Sequence, residues 1–176
     1  EWLWNNKRKI RVDLGLRIEC LHPVLTTSLP WRLSQLEERL MRWVDIKNDL
    51  YNGQAGLQIS VNSTSDEQRK IMFSGNAMKL GTFAQIAEKF PEPIGRKYTL
   101  NFALASGNIV DAKKLASMFD PEKWMCKITP IHNNDSCKSN KIETIGGYES
   151  YSPYKQVEED LKANGFDTLV FVPSMD

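Results

Sequence analysis

Several stretches of this chain alternate apolar with polar residues, and each leads into a helix-like segment; no other feature constrains the fold as tightly. On Leu57–Asn62, Leu57, Ile59 and Val61 share one face while Gln58, Ser60 and Asn62 share the other. On Tyr98–Leu104, Leu100, Phe102 and Leu104 oppose Thr99 and Asn101. On Trp124–Ile131, Trp124, Cys126 and Ile128 oppose Lys127 and Thr129, and on Arg17–His22, Arg17 and Glu19 oppose Ile18 and Cys20. Strands that alternate with helices predict parallel βαβ units. Parallel strands covered on both faces read as continuous apolar runs, and these do not. The pattern predicts an α/β chain with a curved, mostly parallel sheet, helices on the convex side and a polar concave lumen where a ligand binds.

The 176 residues are expected to form a single domain (1–176) with a real core. A net charge of +1 gives no global pull toward nucleic acid. No run approaches the roughly twenty apolar residues that a membrane span needs, and no secretory signal pattern is present. Three cysteines, none paired at metal-ligand spacing, point to a reducing cytoplasm. The chain opens on Glu1-Trp2-Leu3-Trp4 rather than Met, which suggests a fragment of a longer protein.

Proline and glycine divide the rest. Pro23 to Pro30 reads as a loop, and a helix is predicted over Arg32–Leu50, stopped by Asn52-Gly53. Ser65 and Gln68 form a capping-box pattern for a helix ending near Phe73; further helices are predicted over 82–90, 111–119 and 153–164. A polar loop of nineteen residues spans His132 to Ser150, and a last strand, Thr168–Val172, is apolar on both faces. Five strands are too few to close a standard eight-stranded barrel.

Ligands in such folds bind at the carboxyl ends of strands. Ser60 and Asn62 lie there on the polar face, and Ser65-Asp66-Glu67 follows where a helix begins, so Ser65 and Asp66 read equally as caps. His132 follows Pro130 at another strand end, where a lone histidine is either structural or a ligand contact. Cys20, Cys126, Cys137, His22 and His132 lack zinc spacing, and no metal site or catalytic residue is assigned within the chain. No Gly-rich phosphate loop follows any strand.

Four segments, in order, resemble a known family. Leu57-Gln58-Ile59-Ser60-Val61-Asn62 with Ser65-Asp66-Glu67-Gln68-Arg69 resembles the hydrophobic-S-L-H-x-x-N-D-E-x-R motif of radical S-adenosylmethionine (SAM) enzymes of the ribosomal RNA adenine methyltransferase type. Thr26-Thr27-Ser28 with Pro30 is similar to their S-T-S-G-x-x-P loop, Gly95 to Leu104 to their G-R-x-x-T-F-E-Y-x-L strand, and Ile128-Thr129-Pro130-Ile131-His132 to their L-I-P-F-N strand end. Thr26 stands for Ser, Asn62 for His and His132 for Asn, all still able to hydrogen-bond.

The resemblance implies a partial (βα) barrel, or partial TIM barrel, of which this chain is the C-terminal portion. It implies SAM as cofactor, contacted by Thr26, Ser60, Asn62 and His132, and a methyltransferase-like parent enzyme with RNA among its substrates. The [4Fe–4S] iron–sulfur cluster would be bound outside this chain, since no C-x-x-x-C-x-x-C motif is present, and the fragment alone would be inactive. An exposed sheet edge where earlier strands belong would promote self-association. The alternative is a stand-alone, non-catalytic βα module that binds a protein or nucleic acid.

Overall fold

The computed structural model describes residues 2–6, 9, 22–131, 142–143 and 151–171. A short helix α1 (Trp2–Asn5) precedes five strands: β1 (Val24–Thr27), β2 (Gly56–Ser60), β3 (Tyr98–Leu104), β4 (Trp124–Pro130) and β5 (Asp167–Val170). Between them lie α2 (Leu36–Asp45) with a π-helical turn at Ile46–Leu50, α3 (Asp66–Met72), α4 (Leu80–Ala87) and α5 (Ala112–Ala116). A 3₁₀ turn (Ser152–Tyr154) leads into α6 (Lys155–Ala163) ahead of β5.

All four strand pairings are parallel, and the spatial order β1-β2-β3-β4-β5 is the order of the chain. That order decides where the helices go. Crossovers between parallel strands are right-handed, so an unreversed succession places every helix on the same side. The strand residues confirm it. Leu57, Ile59, Leu100, Phe102, Leu104, Trp124, Cys126 and Ile128 are buried beneath the helices. Phe83 of α4 meets Trp124 edge-on at 5.7 Å, and Phe90, Tyr98 and Phe119 close an aromatic cluster around that indole. The opposite face carries two registered rows. One is Thr26, Gln58, Thr99, Met125 and Asp167; the other is Ser60, Asn101, Lys127 and Leu169. The polar residues of the three central stretches therefore share the face that the helices leave open.

Several boundaries differ from the sequence expectation. Residues 17–21 of the expected first strand lie outside the described residues, and His22 is not in a strand. The strand is instead Val24–Thr27, inside the segment assigned to a Pro-bounded loop. Proline is compatible with an edge strand, and Pro23 O still accepts the Gly56 N–H at 2.8 Å. The first long helix starts at Leu36 rather than Arg32 because Leu29 and Gln35 adopt left-handed backbone (φ 60° and 62°). Its end widens into a π turn where buried Lys47 and Asn48 fasten the 92–94 loop: Lys47 Nζ donates to Ile94 O at 2.9 Å and Asn48 Nδ2 to Glu92 O at 3.0 Å. Gly53 stops this segment with φ +74°, and a Cβ there would meet Ile94 O at 1.8 Å. β5 is not covered on both faces: Leu169 is 49% exposed, as expected of an open-face position on a terminal strand.

Candidate functional site

Beyond Ser60 the carboxyl ends of β2 and β3 are joined by two backbone bonds to a single carbonyl and then by side chains. β2 stops at Ser60, two residues earlier than its alternation suggested, because Asn62 turns into left-handed conformation (φ 61°). Asparagine is among the few residues that tolerate this. The Val61 and Asn62 N–H groups converge on Asn101 O at 2.8 and 3.3 Å. The Asn62 side chain then takes the place of the missing strand, its Oδ1 accepting the Ala103 N–H at 3.0 Å. Asn108 closes the arrangement, with Nδ2 donating to Asn62 O at 3.0 Å and to Ala103 O at 3.1 Å.

A second set of bonds latches the β2–α3 loop to the β3–α5 loop. Gln68 Nε2 donates to Gly107 O at 2.8 Å, while its Oε1 accepts the Ile109 N–H at 3.0 Å and the Ser63 hydroxyl at 2.6 Å. Thr64 Oγ1 accepts the Asp111 N–H at 2.9 Å, and Lys114 Nζ donates to Thr64 O at 2.7 Å. Ser65 caps α3 as expected, accepting the Gln68 N–H at 3.3 Å. The capping box is only half formed: Ser63 Oγ, not Gln68, accepts the Ser65 N–H. Asp66 caps the following helix instead, accepting the Leu80 N–H at 2.9 Å. Arg69, at the end of the same motif, is 1% exposed and braces the loop from below, donating to Val61 O at 2.7 Å and Met78 O at 3.2 Å. Burial pulls its pKa below the usual value, and the Asp66 carboxylate counters this.

Above these latches lies a cavity of about 280 Å³ whose lining includes Asn62, Met72, Ala105, Ser106, Asn108 and Ile131. The sequence-derived site residues take different places around it. Asn62 lines the cavity. Ser60 lies two residues before Asn62, half-buried on the open face and in register with Asn101. Thr26 is exposed on the same face, on β1 beside Gln58, and does not line the cavity. His132 lies outside the described residues; its neighbour Ile131 lines the cavity. Ser106 and Asn108 also line it, though the sequence alone assigns them no role. Their one sequence signal is the Ser106-Gly107-Asn108 turn at a strand's carboxyl end.

The cavity suits a neutral, polar-edged ligand better than a phosphate or a metal. Asn62, Ser106 and Asn108 offer donors and acceptors, and the rest of the wall is largely apolar apart from Glu143. No group of three or more metal-ligating side chains occurs among the described residues. Cys126 is wholly buried beneath the helices, with its thiol pushed up to about 12 by burial, so it is no cluster ligand. Cys20 and Cys137 lie outside the described residues. An iron–sulfur cluster finds no ligand set among the described residues.

No family model and no curated protein matches this chain. Among solved structures, it is similar to a radical SAM methyltransferase from Sphaerobacter thermophilus, at a TM-score of 0.60 and 17% identity over 84% of this chain. The matched region is 39% of that enzyme, so the chain spans well under half of its length. At this identity the likeness is one of fold. The chain has the α/β architecture of part of a (βα) barrel, with its helices on the convex side. Among the described residues, no helix is long and apolar enough to cross a membrane.

Proposed function

We propose that this chain is the carboxyl-terminal portion of the partial barrel of a radical SAM enzyme, and that it supplies the wall of the SAM and substrate cavity. The observation that carries the reading is the polar-edged cavity at the carboxyl ends of β2 and β3, in a sheet whose helices all lie on the other face. The fold likeness to a radical SAM methyltransferase supports the same reading at the level of the fold, and with it a methyltransferase-like parent. The motif resemblance narrows the parent toward the ribosomal RNA adenine type, a cytoplasmic enzyme with RNA as substrate. The [4Fe–4S] cluster would be held by cysteines elsewhere in the parent. When bound there, the cluster would supply the radical chemistry by reducing SAM.

The residues of this chain bind and orient. Asn62, two residues past the end of β2, would contact the cofactor at the cavity wall, and Ser60 on β2, Thr26 on β1 and His132, two residues after Pro130 in sequence, are the further contacts that the motif resemblance implies. Neutral donors and acceptors suit a zwitterion with a ribose and an adenine better than one strong charge. Titration of SAM into the full-length protein tests the reading. Ser60→Ala and His132→Ala should each weaken binding by roughly two- to tenfold, the worth of one hydrogen bond. Unchanged affinity in both variants would withdraw the cofactor assignment.

A further inference from the structure

Side-chain amides can usually be turned end for end without offence to the coordinates, but two at the cavity wall cannot. The Ala103 N–H can only donate, and it lies 3.0 Å from Asn62 Oδ1, so the oxygen of that amide must face it. Carbonyl oxygens can only accept, and Asn108 Nδ2 lies between two of them, Asn62 O and Ala103 O. Both hydrogens of the Asn108 amide are thereby used. One amide is tied to the N–H of Ala103 and the other to its C=O, so reversing either would strand a backbone group.

What remains is a fixed pattern. Asn62 keeps an N–H donor, Asn108 keeps an oxygen acceptor, and neither has a partner for that atom among the described residues. Both residues line the cavity together with Met72, Ala105 and Ile131, apolar side chains of the kind a flat ring packs against. A neutral donor beside a neutral acceptor complements an acceptor beside an N–H donor. A six-aminopurine carries that arrangement where its amino group adjoins a ring nitrogen, and asparagine is well matched to it.

We propose that Asn62 and Asn108 form a fixed donor–acceptor pair that reads the amino edge of an adenine ring. This rests on the SAM reading, in which the ring belongs to the adenosyl group, and adds Asn108 as a binding residue. The pairing makes the site selective for the base: replacing the amino group by a carbonyl removes the donor that Asn108 Oδ1 requires.

Calorimetric titration of the full-length protein with S-adenosylhomocysteine and with its inosine counterpart tests the pair. The inosyl compound should bind at least about tenfold more weakly, because a carbonyl is set against Asn108 Oδ1. Asn62→Asp keeps the oxygen that accepts from Ala103 and replaces the free donor by an acceptor. It should keep the parent's unfolding midpoint and lose adenosyl binding by at least about tenfold. Equal affinity for the two compounds, or Asn62→Asp binding as the parent does, overturns the pair and leaves the SAM reading standing. Absence of any S-adenosylhomocysteine binding by the unaltered protein overturns both.

Discussion

Asn62 carries two structural loads that substitution can separate. Its backbone sits at φ 61°, and its Oδ1 completes the bonding of the Ala103 N–H. Alanine removes the side-chain acceptor, worth about 0.5–1.5 kcal/mol. It also places a Cβ in left-handed conformation without asparagine's compensations, at about 1–2 kcal/mol. Asn62→Ala should therefore destabilise the chain by roughly 2–3 kcal/mol. Glycine adopts the conformation freely but loses the same bond and frees the unfolded chain, so Asn62→Gly should fall nearer about 1.5–2 kcal/mol. Aspartate keeps the acceptor and tolerates the backbone, so its loss should stay below about 0.5 kcal/mol at neutral pH. Urea unfolding with m-values held constant measures all three. The order should be Ala, then Gly, then Asp. An alanine variant within about 0.5 kcal/mol of the parent would refute the claim that this side chain replaces the strand.

Other substitutions probe the frame around the cavity. Gly53→Ala should abolish folding or cost more than about 3 kcal/mol by urea unfolding, since its Cβ would lie 1.8 Å from Ile94 O with no flexible group to yield. Gln68→Ala removes three bonds, two of them to the β3–α5 loop and one to Ser63, and should cost about 2–3 kcal/mol while accelerating amide exchange at Ile109; unaltered exchange would show that the latch is idle. Lys47 is lowered from 10.5 to about 8 by burial and then by the Arg96 charge, so the unfolded chain binds more protons between those values. Stability attributable to Lys47 should accordingly rise with pH across that window, by at most about 1.4 kcal/mol per unit. Subtracting the pH profile of Lys47→Met cancels the opposing contributions of Cys126 and Tyr98, whose pKa values burial raises; a flat difference would contradict the placement of Lys47.

The sequence alone determined the features governed by neighbours along the chain. Period-2 alternation gave β3 its bounds and assigned Gln58, Ser60, Thr99, Asn101 and Lys127 to one face. Ser65 and Asp111 were legible as helix starts, because a cap bonds an N–H only three residues away. Motif order pointed to the partial barrel that the fold comparison supports. Tertiary structure alone decided which distant backbone groups the polar side chains satisfy. Asn62 finds Ala103 forty-one residues on, Gln68 finds Gly107 and Ile109, and Lys47 finds Ile94. Nothing in the local sequence specifies those partners, because they depend on strand register and on where each loop emerges. The same dependence hid β1, whose four residues gain strand structure only by lying along β2. It also hid Asn108, whose place at the cavity follows from a left-handed turn forty-six residues earlier.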